Sequence, residues 1–483
     1  MNVATVARTA ADPAMLNRLL DRGRSMLRHQ RPLEAIAMLG RAVAIPGAPA
    51  EAFGLYAEAL LDTGRAQEAL LAAERALACS GEDGGLRLLR ARVRRNCGDR
   101  KGAMDDAAAA VMADPSNGEA KTLLATCLSE AGQHDEALLL LHQAFTAKPQ
   151  DAHRAAMLAM AFMRAGKYQP AEELYALANE LSGGSRAVLL LRAQNAILDG
   201  APGRAVGILL ASLERSGEES TVWSMLGQAY QKLGQVESAA GAYREALRLD
   251  PGNAYLRHLA NAIGAVPSAA DRADDQYVVE VFDGCATRFE QSLFALGYRV
   301  PGVMLRMLEA HDALLSEHRS KLGDVLDLGC GTGLLGATLH DLLGGRLVGV
   351  DLSPRMLDAA REKGVYTELR QGEIVAAMKD DPSQYTLILL ADVLCYFGAL
   401  ERCFTAARAR LAPGGVLLFS VEGGAAEGDW TLNRNARYQH AEAYVRGALA
   451  GAGLAPIQFA AEVLRYENGK PVDGYVVMAG VAH

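Results

Sequence analysis

The order of apolar and polar residues changes character near residue 266. Before that point small residues recur every 34 positions: Ala35, Ala69, Ala103, Ala137, Ala171, Ala205 and Ala239. Seven residues downstream of each lie Ala42, Ala76, Ala110, Ala144, Ala178, Ser212 and Ala246. Twelve upstream lie Gly23, Ala57, Ala91, Ala125, Ala159, Ala193 and Gly227. Gly64, Gly98, Gly132, Gly166, Gly200 and Gly234 keep the same phase. Two antiparallel helices that pack closely need small residues where their backbones approach. A glycine serves the turn between them because it accepts positive φ. The pattern predicts seven helix pairs over residues 16–253, with an N-terminal arm at 1–15. A closing helix at 254–265 would shield the end of the stack.

A polar junction, VPSAADRADD, begins at 266, and a linker is expected over 266–276. Beyond it the 34-residue period is gone. Short apolar runs bounded by Gly, Pro or Asp alternate with helical patterns: DVLDL (324–328), RLVGVDL (346–352), TELRQ (367–371), YTLILLA (385–391) and GGVLLFSV (414–421). Such alternation predicts a parallel sheet with helices on both faces. Two further runs flank NGK at 468–470, a hairpin signal. The expectation for 277–483 is therefore an α/β domain whose parallel sheet ends in an antiparallel hairpin.

Composition adds limits rather than detail. The chain has 483 residues, 50% apolar and 22% charged, with a net charge of −8. That balance excludes a general nucleic-acid or acidic-membrane binder. No apolar run of eighteen or more residues and no secretory signal are visible, so a cytoplasmic protein is expected. Seven scattered cysteines form no C-x-x-C pair, which fits reduced thiols and no structural zinc.

The candidate chemistry lies in VLDLGCGTGLLG, residues 325–336. Its Gly331, Gly333 and Gly336 form a literal G-x-G-x-x-G, which alone suggests a dinucleotide. Asp327 argues otherwise. A carboxylate about 4 Å from a pyrophosphate costs roughly 4 kcal/mol in a partly screened site. A ligand carrying an ammonium and a sulfonium would instead be favoured. An acid at the end of the next strand, Asp351, suits the two hydroxyls of a ribose.

Two resemblances follow from these residues. The first half resembles the tetratricopeptide repeat, at its characteristic period. Asp327-x-Gly329-x-Gly331-x-Gly333 resembles the first motif of class I S-adenosylmethionine-dependent methyltransferases. The whole chain resembles bacterial methyltransferases fused to tetratricopeptide arrays, an α-solenoid followed by a Rossmann-like seven-stranded domain. The resemblance implies S-adenosylmethionine as cofactor, with S-adenosylhomocysteine as product. It implies cofactor contacts from Asp327, Gly329, Cys330, Gly331, Gly333, Asp351, Leu352 and Met356. Glu373 and Ile374 would lie by the adenine, and Asp392 at the reaction rim. Helices over 277–301 would cover the cofactor, with Phe282, Arg288 and Phe289 as candidates.

For the acceptor side, His440 is the candidate general base, since histidine titrates near neutrality. Tyr396 is a second catalytic candidate, and Arg437, Tyr438 and Arg288 are candidate substrate contacts. No metal is expected. Arg92, Arg95 and Asn96 would face the repeat groove, where arginines can fork onto a carboxylate. The expected function is methyl transfer, with the groove recruiting a peptide or protein substrate or partner. A homodimer is compatible with that reading. One alternative is a small-molecule O- or N-methyltransferase whose repeats serve assembly. A second is a non-catalytic scaffold.

Overall fold

The computed structural model describes residues 13–267, 270–311, 322–424, 428–467 and 469–482. They divide into two compact units, up to Ile208 and from Leu209.

The 34-residue register becomes helix pairs. The first joins α1 (Pro13–Arg28) to α2 (Pro32–Val43), and the second joins α3 (Ala50–Asp62) to α4 (Ala66–Ser80). Next come α5 (Gly84–Asn96) with α6 (Arg100–Ala113), α7 (Gly118–Glu130) with α8 (His134–Ala147), and α9 (Ala152–Arg164) with α10 (Tyr168–Leu181). Then follow α11 (Arg186–Leu198) with α12 (Pro202–Ser216) and α13 (Ser220–Lys232) with α14 (Val236–Leu249). Residues 1–12 of the expected arm lie outside the described residues, and α1 starts three residues earlier than the repeat phase suggested. All seven alanines from Ala35 to Ala239 are fully buried. A Cβ on Gly227 would lie 2.6 Å from the buried Tyr243 ring, which is why the phase demands small residues there. The turn glycines from Gly64 to Gly234 all have positive φ, between 72° and 83°.

Arginines on α5 divide between its two neighbouring helices. Arg90 and Arg94 converge on Asp106 of α6, at 2.7 and 2.8 Å, and Asp106 is 2% exposed. Arg95 instead donates to Glu130 of α7 at 2.9 Å. Arg92 sits 3.9 Å from Glu119 and shares a surface hollow with Leu55 and Leu89. Asn96 turns back to bond the Arg92 carbonyl of its own helix.

The second unit holds the seventh pair, α15 (Ala254–Ala262), and the sheet domain. Three helices come first: α16 (Asp275–Cys285), α17 (Phe289–Ala295) and α18 (Val300–Glu309). The helix α16 thus starts two residues ahead of the domain start expected at 277, and α15 ends three residues ahead of the closing-helix end expected at 265. The alternating segment follows as β1 (Val325–Leu328), α19 (Leu334–Thr338), β2 (Leu347–Asp351), α20 (Pro354–Lys363), β3 (Glu368–Gln371), α21 (Ile374–Asp380), β4 (Tyr385–Leu390), α22 (Glu401–Arg410) and β5 (Leu411–Glu422). After a small two-stranded sheet, β6 (Trp430–Leu432) with β7 (Tyr438–His440), come α23 (Glu442–Gly451), β8 (Leu454–Glu467) and β9 (Lys470–Val481).

The main sheet has seven strands in the order β3-β2-β1-β4-β5-β9-β8. The first five pair in parallel, and β9 and β8 add antiparallel. Hydrophobic residues cover both faces: Leu326, Leu328 and Ile388 on one, Val325, Leu387 and Leu389 on the other. Residues Leu411 to Pro413, ahead of the run expected at 414–421, are drawn into β5, with a register shift between Tyr385 and Leu387 on its neighbour. The order reverses between β1 and β4, so the loops after β1, β2 and β4 open onto one crevice, the usual place for a ligand in an open α/β sheet.

Candidate active site

The crevice is a cleft of about 1170 Å³, open solvent at its mouth included. Its floor is the loop after β1. Gly329, Gly331 and Gly333 all have positive φ, at 70°, 53° and 82°. A Cβ on Gly329 would also lie 2.3 Å from Val393. Only glycine lets the backbone turn there and still leave room.

Two buried carboxylates flank this loop. Asp327 ends β1 and is 1% exposed. Burial pushes its carboxyl up to about 7, against the pull of the Tyr366 hydroxyl, which donates to it at 2.7 Å. Asp351 ends β2 and accepts from the Gly331 and Ser353 amides at 2.8 and 2.9 Å. Burial raises its pKa as well, and those amides offset part of the rise. Thus Asp351 also ties the glycine loop to the second strand. Ser353 then caps α20 by accepting from the Met356 amide.

Glu373 caps α21, accepting from the Val375 and Ala376 amides at 3.0 and 2.9 Å. Cys330, Leu352, Glu373, Ile374 and Asp392 line the cleft beside Asp327 and Asp351. Met356 does not; it is fully buried in α20. Gly333 caps α19 without lining the cleft.

The helices before the sheet form a roof. Phe282, Phe289 and Leu293 line the cleft, and the two phenylalanine rings meet edge-on at 5.8 Å. Polar ties fasten this roof: Ser353 donates to Asp283 at 2.5 Å, and Thr332 donates to Glu290 at 2.6 Å. Arg288 lies in the short turn between α16 and α17 and does not line the cleft.

At the other end of the cleft the structure corrects the acceptor-side expectation. His440 is fully buried in β7, off the cleft, with Nε2 3.1 Å from the Gly398 carbonyl. Burial pushes its pKa down to about 4. It is a neutral structural histidine, not a base that meets the acceptor. Tyr438 is also off the cleft, packed edge-on against Trp430, its hydroxyl directed to the Ala270 carbonyl. Tyr396 and Arg437 do line it. Among the described residues the lining contains no histidine or lysine.

An ion network that sequence reading missed lies beneath Asp392. Arg465 of β8 is fully buried and bonds Glu422 of β5, itself 1% exposed. It also donates to Asp392 at 3.2 Å and Glu467 at 2.8 Å. Arg437 joins at 3.2 Å to Glu422 and 3.6 Å to Asp392. Asp392 adopts φ +59°, a costly backbone state for a residue with a Cβ. Asp392, Cys395 and Glu422 lie close enough to share an ion, but two guanidinium groups already neutralise the carboxylates.

The segment carrying Arg437 is braced from the last repeat. Gln231 of α13 donates to the Arg434 carbonyl at 2.6 Å. His258 of α15 donates to the Ala436 carbonyl at 3.0 Å. Ala436 has φ +65° and is 2% exposed. His258 also packs against Tyr277 of α16, the rings tilted with 4.1 Å between centroids.

Among the described residues no helix is long and apolar enough to cross a membrane, and the seven cysteines are free thiols. A family model described as "Methyltransferase domain" matches residues 325–415. Models described as "Tetratricopeptide repeat" match 20–84, 98–159, 128–195 and 220–253. A ribosomal protein L11 methyltransferase of Xanthomonas campestris pv. campestris is 32% identical over 140 residues, which is 29% of this chain and 44% of that protein. A trans-aconitate 2-methyltransferase of Paracidovorax citrulli is 36% identical over 121 residues, 24% of this chain and 45% of its own length. The chain therefore spans less than half the length of these curated relatives. A solved S-adenosylmethionine-dependent methyltransferase from Clostridium acetobutylicum aligns at 18% identity and a TM-score of 0.32, covering 41% of this chain and all of that one. The chain joins tetratricopeptide repeats in its N-terminal region to a methyltransferase domain at its C-terminal end.

Proposed function

We propose that this chain is an S-adenosylmethionine-dependent methyltransferase, with its catalytic domain over 277–483 and a repeat groove that recruits a peptide or protein substrate or partner. One observation carries the cofactor reading: two buried carboxylates, Asp327 and Asp351, flank a glycine loop of positive φ that is crowded at Gly329 and Gly333. When bound, the cofactor supplies a methyl group already activated on a sulfonium. The chain's residues do the rest. Asp327 faces the cationic amino-acid end. Asp351 accepts from the ribose hydroxyls. Leu352 and Ile374 enclose the adenine ring, and Glu373 accepts from its amino group. The roof of Phe282 and Phe289 excludes water, so aligning the acceptor is the main task left.

This assignment predicts a pH dependence. A carboxyl held near 7 by burial is largely protonated at pH 6 and ionised at pH 8. A cation bound beside it favours the ionised form. Cofactor affinity should therefore rise roughly tenfold from pH 6 to pH 8, one proton being released over that window. Calorimetric titration at several pH values checks this, and Asp327→Asn should flatten the profile. In the free protein the sign is opposite. The raised pKa makes the fold lose stability as pH rises from about 4, where an unfolded aspartate titrates, towards about 7.

The recruiting role rests on the extended surface that stacked repeats provide. One similar protein is named for a ribosomal protein and another for a small acid, so both acceptor types are chemically open to this domain. The roofed cleft favours the second, a small-molecule acceptor with the array serving assembly. Labelled methyl donor supplied to cell extract separates the two readings. If the groove recruits, reversing Arg92 and Arg95 to Glu should cut label in macromolecules several-fold. Label confined to small molecules and indifferent to the reversal would remove the recruiting role.

A further inference from the structure

We propose that the acceptor is anchored by a carboxylate that docks on the free edge of Arg437. This rests on the methyltransferase reading of the same cleft and adds the class of molecule it takes.

Only Nη1 of Arg437 is used by the protein, on Glu422 and Asp392. No group among the described residues accepts from its Nε or Nη2, and neither atom is sealed from solvent. Arg437 lines the cleft, and we place that edge on its open side. Nε and Nη2 lie side by side in the guanidinium plane. They form the two-pronged donor that matches a carboxylate.

Two more donors belong to the same lining. The Tyr396 and Tyr298 hydroxyls line the cleft and have no protein acceptor among the described residues. Burial raises both pKa values, so both remain O–H donors. The Arg437 guanidinium lies 5.9 Å from the Tyr396 ring centroid. Beside Asp392 and Arg465, the same lining carries carbon surfaces from Phe282, Leu293, Leu296, Pro301 and Val393. A guanidinium edge in apolar surroundings is costly until an acceptor reaches it. Three donors with no partner call for a ligand group that only accepts.

The charge count disfavours a doubly charged group more than a singly charged one. Arg437 and Arg465 face Asp392, Glu422 and Glu467, two cations against three acids. A phosphate would bring a second negative charge beside an acidic excess. A carboxylate brings one, with two oxygens for the fork. The carbon walls add that the acid sits on an apolar body.

The experiment uses the full chain, with and without S-adenosylhomocysteine, and measures binding by calorimetry. Phenylacetate is compared with phenylacetamide, and a short peptide ending in phenylalanine is compared with its C-terminal amide. The acid should bind at least about tenfold tighter than its amide, the effect of a charged hydrogen bond. Arg437→Gln should abolish that preference, and Arg437→Lys should restore part of it. Retained S-adenosylhomocysteine binding shows that the variants are folded. Tighter binding of phenylacetate than of the free-acid peptide identifies a small acid, and the reverse order a peptide terminus. Acid and amide binding equally, or a preference that survives Arg437→Gln, overturns the proposal. Loss of S-adenosylhomocysteine binding by the wild type would overturn the cofactor assignment, while acid selectivity without it still scores this one.

Discussion

Asp351→Ala should weaken binding of S-adenosylmethionine by about 100-fold or more and reduce methyl transfer to background. The two effects have one source. Among the described residues Asp351 is the only lining carboxylate that also holds the glycine loop, through the Gly331 amide. Its two oxygens would each take a ribose hydroxyl. Hydrogen bonds to a charged group contribute about 1.5–3 kcal/mol each, so two of them span roughly 100-fold to more than 10,000-fold. The alanine removes these bonds and also leaves the Gly331 and Ser353 amides without their acceptor. Asp351→Asn keeps one acceptor oxygen and should fall between alanine and wild type. Calorimetric binding with a labelled-methyl assay reads both effects. Alanine variants that still bind and turn over would refute the cofactor assignment.

The second large effect concerns stability rather than binding. Arg465→Met should destabilise the second unit by about 3–5 kcal/mol, the range for breaking a buried ion pair from one side. Arg465 is fully buried and serves Glu422, Asp392 and Glu467 together. Methionine fills much of the space but leaves Glu422, 1% exposed, against Arg437 alone. Adding Glu422→Gln should recover much of the loss, because the uncompensated charge is then gone. Urea unfolding followed by tryptophan fluorescence measures both variants, since Trp430 packs beside Tyr438 in the same region. An arginine replacement costing under about 1 kcal/mol, the level of a surface pair, would show that the network is not the buried support described here.

Local reading of the sequence reached the repeats and the glycine-loop end of the cleft because both are built from short-range rules. Backbone approach between paired helices needs small residues at a fixed phase. The loop after β1 needs glycines at Gly329, Gly331 and Gly333, and its acids stand at strand ends. Each of these is visible within a few residues of chain. The strand runs were legible for the same reason, with β5 longer than expected because the sheet drew in Leu411 to Pro413 through a register shift.

The opposite end of the cleft was legible only in part. His440 looked like a base because histidine titrates near neutrality. The tertiary fold buried it against the Gly398 carbonyl and removed it from the cleft. Arg465 was passed over because alternation along a strand predicts opposite faces for neighbours. In β8 the register shifts between Val463 and Arg465, so Leu464 and Arg465 are both buried. Tyr366, which holds Asp327, reaches it from 39 residues away.

By itself the sequence determined the 34-residue helical register, the order of strands and the carboxylate-flanked glycine loop. Those properties follow from local sterics and from charges placed at strand ends. Only the tertiary structure decided which polar groups line the cleft, which are buried as ion pairs, and that α13 and α15 brace the segment bearing Arg437. Such pairings depend on groups far apart in the chain, and burial sets both their charge state and their partners.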